Sequence, residues 1–336
     1  MKPKAIFIGT SENIERVYGN ENIKKFSEKA EILPGFYTAD ILRDGNGHEE
    51  LSDVEYVFST WGMAQLSEDE IRTLLPRLKA VFYAAGTVQY FARPFLNCGV
   101  KIFSAWAANA VPVAEYTVSQ IILANKGFFR SAPLASIGRR DEAASEFNNF
   151  RGNYGASVGL IGIGMIGSLV AEMLKTYDIE VKGFDPFLSD EKAEMLGVKK
   201  VPLEEIFSTC SVVSNHLANN EQTQGMLNGG LFEKMQPYAT FINTGRGAQV
   251  VESELIETLK RRPDITAILD VTFPEPPEKD SEFFTLPNCI LTPHIAGSSG
   301  DEVKRMAAYM YEEFEKHLNG EPVKYEVTSK MLETMA

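Results

Sequence analysis

Several residue types that would mark common protein classes are scarce in this chain of 336 residues. There are three cysteines, Cys98, Cys210 and Cys289, far apart, odd in number and without metal-like spacing. They exclude a disulfide framework and a cysteine-based metal site as expectations and suit buried thiols in a reducing compartment. Basic residues are outnumbered, 33 lysines and arginines against 46 aspartates and glutamates, for a formal net charge of −13. That sign repels a nucleic-acid backbone or an anionic membrane at long range, so neither is expected as the main partner. Long apolar runs are also missing. The longest, Val158 to Leu174, is interrupted by glycines and Glu172, and the apolar run within Met1 to Thr10 is too short for a secretory signal. No membrane span and a cytoplasmic location are the expectations. There is no internal repeat or low-complexity tract, and the four histidines are few enough to weigh one by one.

What is present is an alternation of short apolar strands and amphipathic helices, which points to parallel sheets covered by helices, in a chain long enough for two domains. In the first 105 residues or so, strands are expected at Lys4 to Ile8, Glu55 to Ser59, Ala80 to Tyr83 and Val100 to Ser104, with a short helix at Ser11 to Tyr18. Ser67 and Glu70 form a capping box before a helix whose Ile71, Leu74, Leu75 and Leu78 share one face, and Pro76 should kink or end it. Asn109 to Lys126 reads as a long apolar helix leading into a second domain. The more polar stretch Phe128 to Gly155 is either a solvated arm or a subunit contact. Further strands are expected at Glu180 to Phe184, Ser211 to Asn215, Ala239 to Asn243, Ile265 to Leu269 and Ile290 to Leu291. A final helix, Asp301 to Leu318, carries Val303, Met306, Met310 and Phe314 on one stripe and is expected to return to the first domain. The expected domains are therefore residues 1–108 with 301–336, discontinuous, and residues 109–300.

The stretch Ser157 to Asp185 is the most informative. A buried strand, Val158 to Ile161, runs into Gly162, Gly164 and Gly167 with the spacing G-x-G-x-x-G at the mouth of a helix opened by Met165 and Ile166. A second strand then delivers Asp185 about 20 residues beyond the glycines, where a carboxylate can hold the two hydroxyls of an adenosine ribose. Gly162 allows a tight turn, Gly164 lets a pyrophosphate approach the backbone, Gly167 allows close helix–strand packing, and the free N–H groups of the helix face the phosphates. Pro186 and Phe187, not an arginine, follow Asp185, which favours NAD over NADP.

Among the histidines, His48 in a polar loop and His317 on a polar helix face are expected to be solvated. His216 and His294 end strands of the dinucleotide unit, where doubly wound sheets bind their ligands. Arg246, flanked by Gly245 and Gly247 after a strand, suits a bidentate clamp on a carboxylate. Glu275 lies between Pro274 and Pro276 in a stiff loop after Asp270, and its residue type alone is equally consistent with an exposed turn acid.

These residues together resemble the D-isomer-specific 2-hydroxyacid dehydrogenase family. The resemblance covers about residues 80 to 320 and rests on Gly162, Gly164, Gly167 and Asp185; on Asn243-Thr244-Gly245-Arg246-Gly247; on Leu269-Asp270-Val271 leading to Glu275-Pro276; and on Leu286-Pro287-Asn288 leading to Thr292-Pro293-His294-Ile295-Ala296-Gly297. It implies two doubly wound α/β parallel-sheet domains, a Rossmann-type NAD domain inserted into a discontinuous flavodoxin-like substrate domain. It also implies hydride transfer between NAD(H) and a small D-2-hydroxy acid or its 2-keto acid. By the same resemblance His294 is the proton donor, Glu275 its hydrogen-bond partner and Arg246 the carboxylate clamp. Ala85 and Gly86 offer backbone N–H groups to the substrate carboxylate, Thr244 and Asp270 contact the nicotinamide side, His216 lines the cofactor cleft, and Gly245 and Gly297 complete the cofactor contacts. No metal is implied, and a homodimer is.

The substrate loop Ala84-Ala85-Gly86-Thr87-Val88-Gln89 lacks the family's second glycine and acidic ending. Ala218, Asn219 and Asn220 also depart from the pattern after His216. Trp61 and Trp106 are candidates either for closing a pocket or for the core. Glu275 stands where formate dehydrogenases of the superfamily carry glutamine, which argues against formate, and the chain ends too soon for the regulatory domain of longer phosphoglycerate dehydrogenases. Two alternatives stay open: an NAD-sensing, corepressor-like binding protein, and a dehydrogenase of another small anion such as phosphite.

Overall fold

The computed structural model describes residues 2–44 and 48–333, and the side chain of His48 lies outside that description. Among the described residues thirteen strands follow in chain order: β1 (Lys4–Ile8), β2 (Glu31–Tyr37), β3 (Tyr56–Ser59), β4 (Ala80–Tyr83), β5 (Lys101–Ser104), β6 (Ala156–Ile161), β7 (Ile179–Phe184), β8 (Val198–Lys200), β9 (Val212–Asn215), β10 (Thr240–Asn243), β11 (Thr266–Leu269), β12 (Cys289–Leu291) and β13 (Glu326–Val327). Backbone contacts divide the chain into two units, Met1–Asn109 with Ser298–Ala336, and Ala110–Gly297.

The first unit has one sheet in the order β13-β5-β4-β3-β1-β2, parallel except for the antiparallel edge strand β13. Strands β3 and β4 are four-residue runs buried at every position, as expected where helices cover both faces of a parallel sheet. Phe58 and Phe82 lie under Phe314 at ring-centroid distances of 4.9 and 5.2 Å, and Phe26 meets Phe58 at 4.3 Å, so the helices Ser11–Lys29 and Val303–Asn319 share one face. Each such ring, fully buried, contributes about 1.5–3 kcal/mol. The Ser67/Glu70 capping box forms, and its helix, Glu68–Leu74, is capped by Leu75, the residue before Pro76.

Three details of this unit differ from the sequence expectation. The first helix runs on to Lys29, because Gly19 at φ 58° kinks it without ending it. Strand β2 contains Pro34 and Gly35, which argue against a central strand; it is an edge strand whose register with β1 slips between Ala5 and Phe7, and an edge tolerates a missing donor. His317 is half-buried, with its ring against Tyr56, Phe82 and Phe103, and not solvated.

The second unit has a fully parallel sheet in the order β12-β11-β10-β9-β6-β7-β8, with the strand order reversing between β6 and β9. Ligands bind such sheets outside the carboxyl ends at that reversal. Strand β8 is an addition to the expected set. The helix Trp106–Asn125 tolerates Pro112, and the polar stretch after it folds into two helices, Phe128–Ser136 and Arg140–Phe147. No residue of the first of these is buried, and Phe128, Ile137, Phe147 and Tyr154 present apolar surface to solvent.

Candidate active site

Every residue singled out in the second unit follows the carboxyl end of a strand. After β6 the chain turns at Gly162, φ 88°, where an added Cβ would lie 2.8 Å from the backbone of His216. A Cβ on Gly167 would lie 2.1 Å from the Gly162 carbonyl oxygen, so the helix Met165–Leu174 can approach the turn only with glycine there. A Cβ on Gly164 would meet nothing within 4 Å, and no side chain caps the helix at that residue. Open space in front of uncapped N–H groups is what a pyrophosphate requires, and the residues present fit one. Asp185 closes the unit: its Oδ2 accepts the Ile163 N–H at 2.7 Å and its Oδ1 the Phe187 N–H at 2.8 Å. Each oxygen retains a lone pair for a ribose hydroxyl. Lys192 holds the other backbone group of Ile163, its Nζ donating to the Ile163 carbonyl at 2.8 Å.

His216, after β9, departs from expectation. It is 8 % exposed, with Nε2 3.0 Å from Ser214 Oγ and Nδ1 3.2 Å from Thr244 Oγ1. Burial depresses its pKa to about 3, so the ring is neutral. The side chain is a buried link from β9 to the segment after β10, not a group turned to an open cleft. Thr244 continues the link to Thr117, hydroxyl to hydroxyl at 3.4 Å.

Arg246 is set by buried amides. Asn215 Nδ2 donates to Asn243 Oδ1 at 2.9 Å and to Gln249 Oε1 at 2.6 Å. Gln249 Oε1 accepts the Arg246 N–H at 3.0 Å, and Asn243 Oδ1 accepts that of Gly245 at 3.1 Å. The guanidinium donates through Nη1 to the Gly245 carbonyl at 2.8 Å. Burial draws it below the ordinary arginine range, and the charge of Glu275 acts in the opposite direction. The guanidinium is mostly desolvated, feels the charge of one carboxylate and has no ion pair of its own among the described residues, which is the chemistry an anion clamp needs.

His294, after β12, pairs with Glu275 from the loop after β11. His294 Nδ1 and Glu275 Oε1 are 2.5 Å apart, and both side chains are partly open, at 46 % and 38 % exposure. His294 has φ 54°, a left-handed conformation that costs a side-chain-bearing residue about 1–3 kcal/mol and must be over-determined by its surroundings. Asp270 does this. Its backbone carbonyl accepts the His294 N–H at 3.1 Å, its Oδ1 accepts the Ile295 N–H at 2.8 Å and the Thr292 hydroxyl at 2.6 Å, and its Oδ2 accepts the Ala296 N–H at 3.0 Å. At 3 % exposure this carboxylate builds the loop that presents His294, a role the sequence did not suggest. Beside the pair a cavity of about 680 Å³ is lined by Thr272, Pro276, Phe284, Leu291, Pro293 and His294.

Ala85 and Gly86 belong to the first unit. Ser104 Oγ donates to their carbonyls at 2.9 and 2.6 Å, which pins the loop after β4. Among the described residues no group of three His, Cys, Asp or Glu side chains could hold a metal ion, and no helix is long and apolar enough to cross a membrane. The residues missed from sequence, Asn215, Gln249 and Lys192, act on groups of distant segments, and only their pairing in space identifies them.

Residues 128–296 match the family model of the D-isomer specific 2-hydroxyacid dehydrogenase, NAD binding domain. The chain is 34% identical over 209 residues to the putative 2-hydroxyacid dehydrogenase YoaD of Bacillus subtilis, covering 60% of this chain and 59% of that protein. It is 30% identical over 283 residues to a formate dehydrogenase of Neurospora crassa, covering 81% and 75%. It spans 44% and 42% of the length of two other relatives, D-3-phosphoglycerate dehydrogenases of Archaeoglobus fulgidus and Bacillus subtilis. The apo form of D-mandelate dehydrogenase from Rhodotorula graminis aligns over 98% of each chain with a TM-score of 0.83 at 20% identity, a likeness of fold. With a strand–glycine–helix unit of matching build and the family's motifs on the loops of one sheet edge, the chain belongs to the D-isomer specific 2-hydroxyacid dehydrogenase family, and its second unit is the family's NAD-binding domain.

Proposed function

We propose that the chain interconverts a small D-2-hydroxy acid and its 2-keto acid with NAD(H), using Arg246, Glu275 and His294 as the reacting set. The observation that carries this reading is the His294–Glu275 pair at 2.5 Å, held open at the edge of an NAD-binding sheet. Glu275 accepts from Nδ1, which fixes the tautomer and orientation of the imidazole and leaves Nε2 to give its proton to the keto oxygen. When bound, NADH supplies the hydride that reduces C2. Arg246 clamps the substrate carboxylate in a bidentate manner and stabilises negative charge as it develops on the oxygen. In the oxidative direction Nε2 takes the hydroxyl proton back.

Gly162, Gly164, Met165, Ile166 and Gly167 hold the pyrophosphate on this reading, and Asp185 holds the ribose. Thr244, Gly245, Asp270 and Gly297 border the nicotinamide end, with His216 supporting Thr244 from below. The first unit is assigned the substrate-binding role, with the N–H groups of Ala85 and Gly86 taking a carboxylate oxygen. The apolar residues Phe128, Ile137, Phe147 and Tyr154 support a homodimer formed through the two exposed helices, and the scarcity of thiols, all of them free, suits the cytoplasm. Sedimentation at micromolar concentration should give a dimer, and a monomer there would remove that part.

The test is NADH oxidation against 2-keto acids of graded side-chain size, with NADPH in parallel. Turnover of at least one acid, with NADH preferred, is expected. Absence of turnover across the panel together with tight NADH binding would overturn the enzymatic reading in favour of a sensor.

A further inference from the structure

Glu252 opens the helix Glu252–Arg261, six positions after Arg246, and its carboxylate reaches another loop: Oε1 accepts the Phe273 N–H at 2.8 Å. An acid in a first helical turn is ordinarily explained by the helix dipole, but such an acid sits in water and ionises readily. Glu252 is instead half-buried, and burial pushes its carboxyl up to about 7 against the pull of the Phe273 N–H. No cation pairs with it among the described residues. The two segments it joins are in direct contact. A Cβ on Gly247 would lie 2.0 Å from the Thr272 carbonyl carbon and 2.3 Å from its oxygen. Thr272 Oγ1 in turn donates to the Pro274 carbonyl at 2.8 Å, so the loop is gripped at Thr272, at Phe273 and, through His294, at Glu275.

We propose that Glu252 is a positioning residue that ties the Arg246 segment to the Glu275 loop, setting the carboxylate behind His294 and the guanidinium beside it in one arrangement. The proposal rests on the functional reading of those three residues. A neutral acceptor of the same length would hold Phe273 equally well, and this separates the tether from any role of the charge.

The test uses Glu252→Ala and Glu252→Gln in the full chain, with [15N]histidine NMR as the first readout. With four histidines the ring signals are few, and a His294→Gln spectrum assigns the one bonded to Glu275. In Glu252→Ala the downfield Nδ1–H signal of His294 should move upfield or vanish, and kcat should fall about tenfold or more while the Kd for NADH and the circular dichroism stay as in the wild type. Glu252→Gln should keep both the signal and the kcat. If Glu252→Ala does not fold, Glu252→Asp, one methylene shorter, should show the same loss in part. A folded Ala variant with the wild-type signal and kcat overturns the tether, as does a folded Gln variant that loses both. Should the wild type turn over no keto acid, the functional reading fails, while the NMR arm still decides whether Glu252 positions the Glu275–His294 pair.

Discussion

His216 and His294 leave the carboxyl edge of the same sheet, after β9 and β12, and their surroundings make them opposite kinds of residue. His216 meets two hydroxyls in a buried site and is neutral. His294 meets a carboxylate at a partly open site, on a backbone that a second carboxylate forces into the left-handed region. A position at the strand ends thus selects candidates, and the partner decides which of them is suited to proton transfer. Hydroxyls stabilise a neutral ring as a joint between segments, and a carboxylate prepares a ring to carry and release a proton.

The largest expected difference between the two is in turnover. His294→Ala should lower kcat by about 10²–10⁴-fold, the usual share of a general acid, with the Kd for NADH nearly unchanged in a fluorescence titration. His216→Asn should leave kcat within about tenfold and act mainly on stability, since it breaks buried hydrogen bonds worth about 1 kcal/mol each. Equal losses of kcat in the two variants would break the distinction. Next in size, Arg246→Ala should raise KM for the keto acid and lower kcat together, and Arg246→Lys should restore little, because an ammonium cannot form the two-pronged contact. Full rescue by lysine would reduce Arg246 to a point charge.

Smaller effects concern stability against pH, where the two sites again diverge. The folded-state pKa of His216 is depressed from 6.5 to about 3, so the folded form binds fewer protons than the unfolded one between those values. Its contribution is present above pH 6.5 and is lost as the pH falls toward 3. Urea unfolding of His216→Asn should therefore show a shallower loss of stability than the wild type through that window. Glu252, near the reacting set, has the opposite sign: its carboxyl is raised from 4.5 to about 7, facing the Phe273 N–H and the Cys289 thiol. Its contribution is present below pH 4.5 and is lost as the pH rises through 7, so Glu252→Gln should gain melting temperature over the wild type at pH 8 and lose that advantage near pH 4.5. A constant difference between the two proteins across that range would contradict the buried-acid description.

The contrast also explains how much was legible in the sequence. Gly162, Gly164, Gly167 and Asp185 could be read because their geometry is local, within one strand–helix–strand unit. The capping box of Ser67 and Glu70 was legible for the same reason. The burial of His216 was not, since Ser214 is near in sequence but Thr244 arrives from the next strand, 28 residues on. The loop-building role of Asp270 was not legible either, because a strand-end acid has the same signature whether or not it also accepts from three donors of its own chain. Strand β2 escaped because Pro34 and Gly35 carry turn signals that an edge position overrides. His317 was misjudged because the rings that cover it come from β3, β4 and β5.

The most direct test of the account is to follow the hydride and the proton in one reaction. The protein is incubated with NADH dideuterated at C4 and the best 2-keto acid, and the product is analysed for isotope position and configuration. The account predicts a D-2-hydroxy acid carrying deuterium at C2 from the wild type, formed about 10²–10⁴-fold more slowly by His294→Ala despite bound NADH. Deuterated product from both proteins at similar rates, or none from the wild type while it binds NADH tightly, would contradict it.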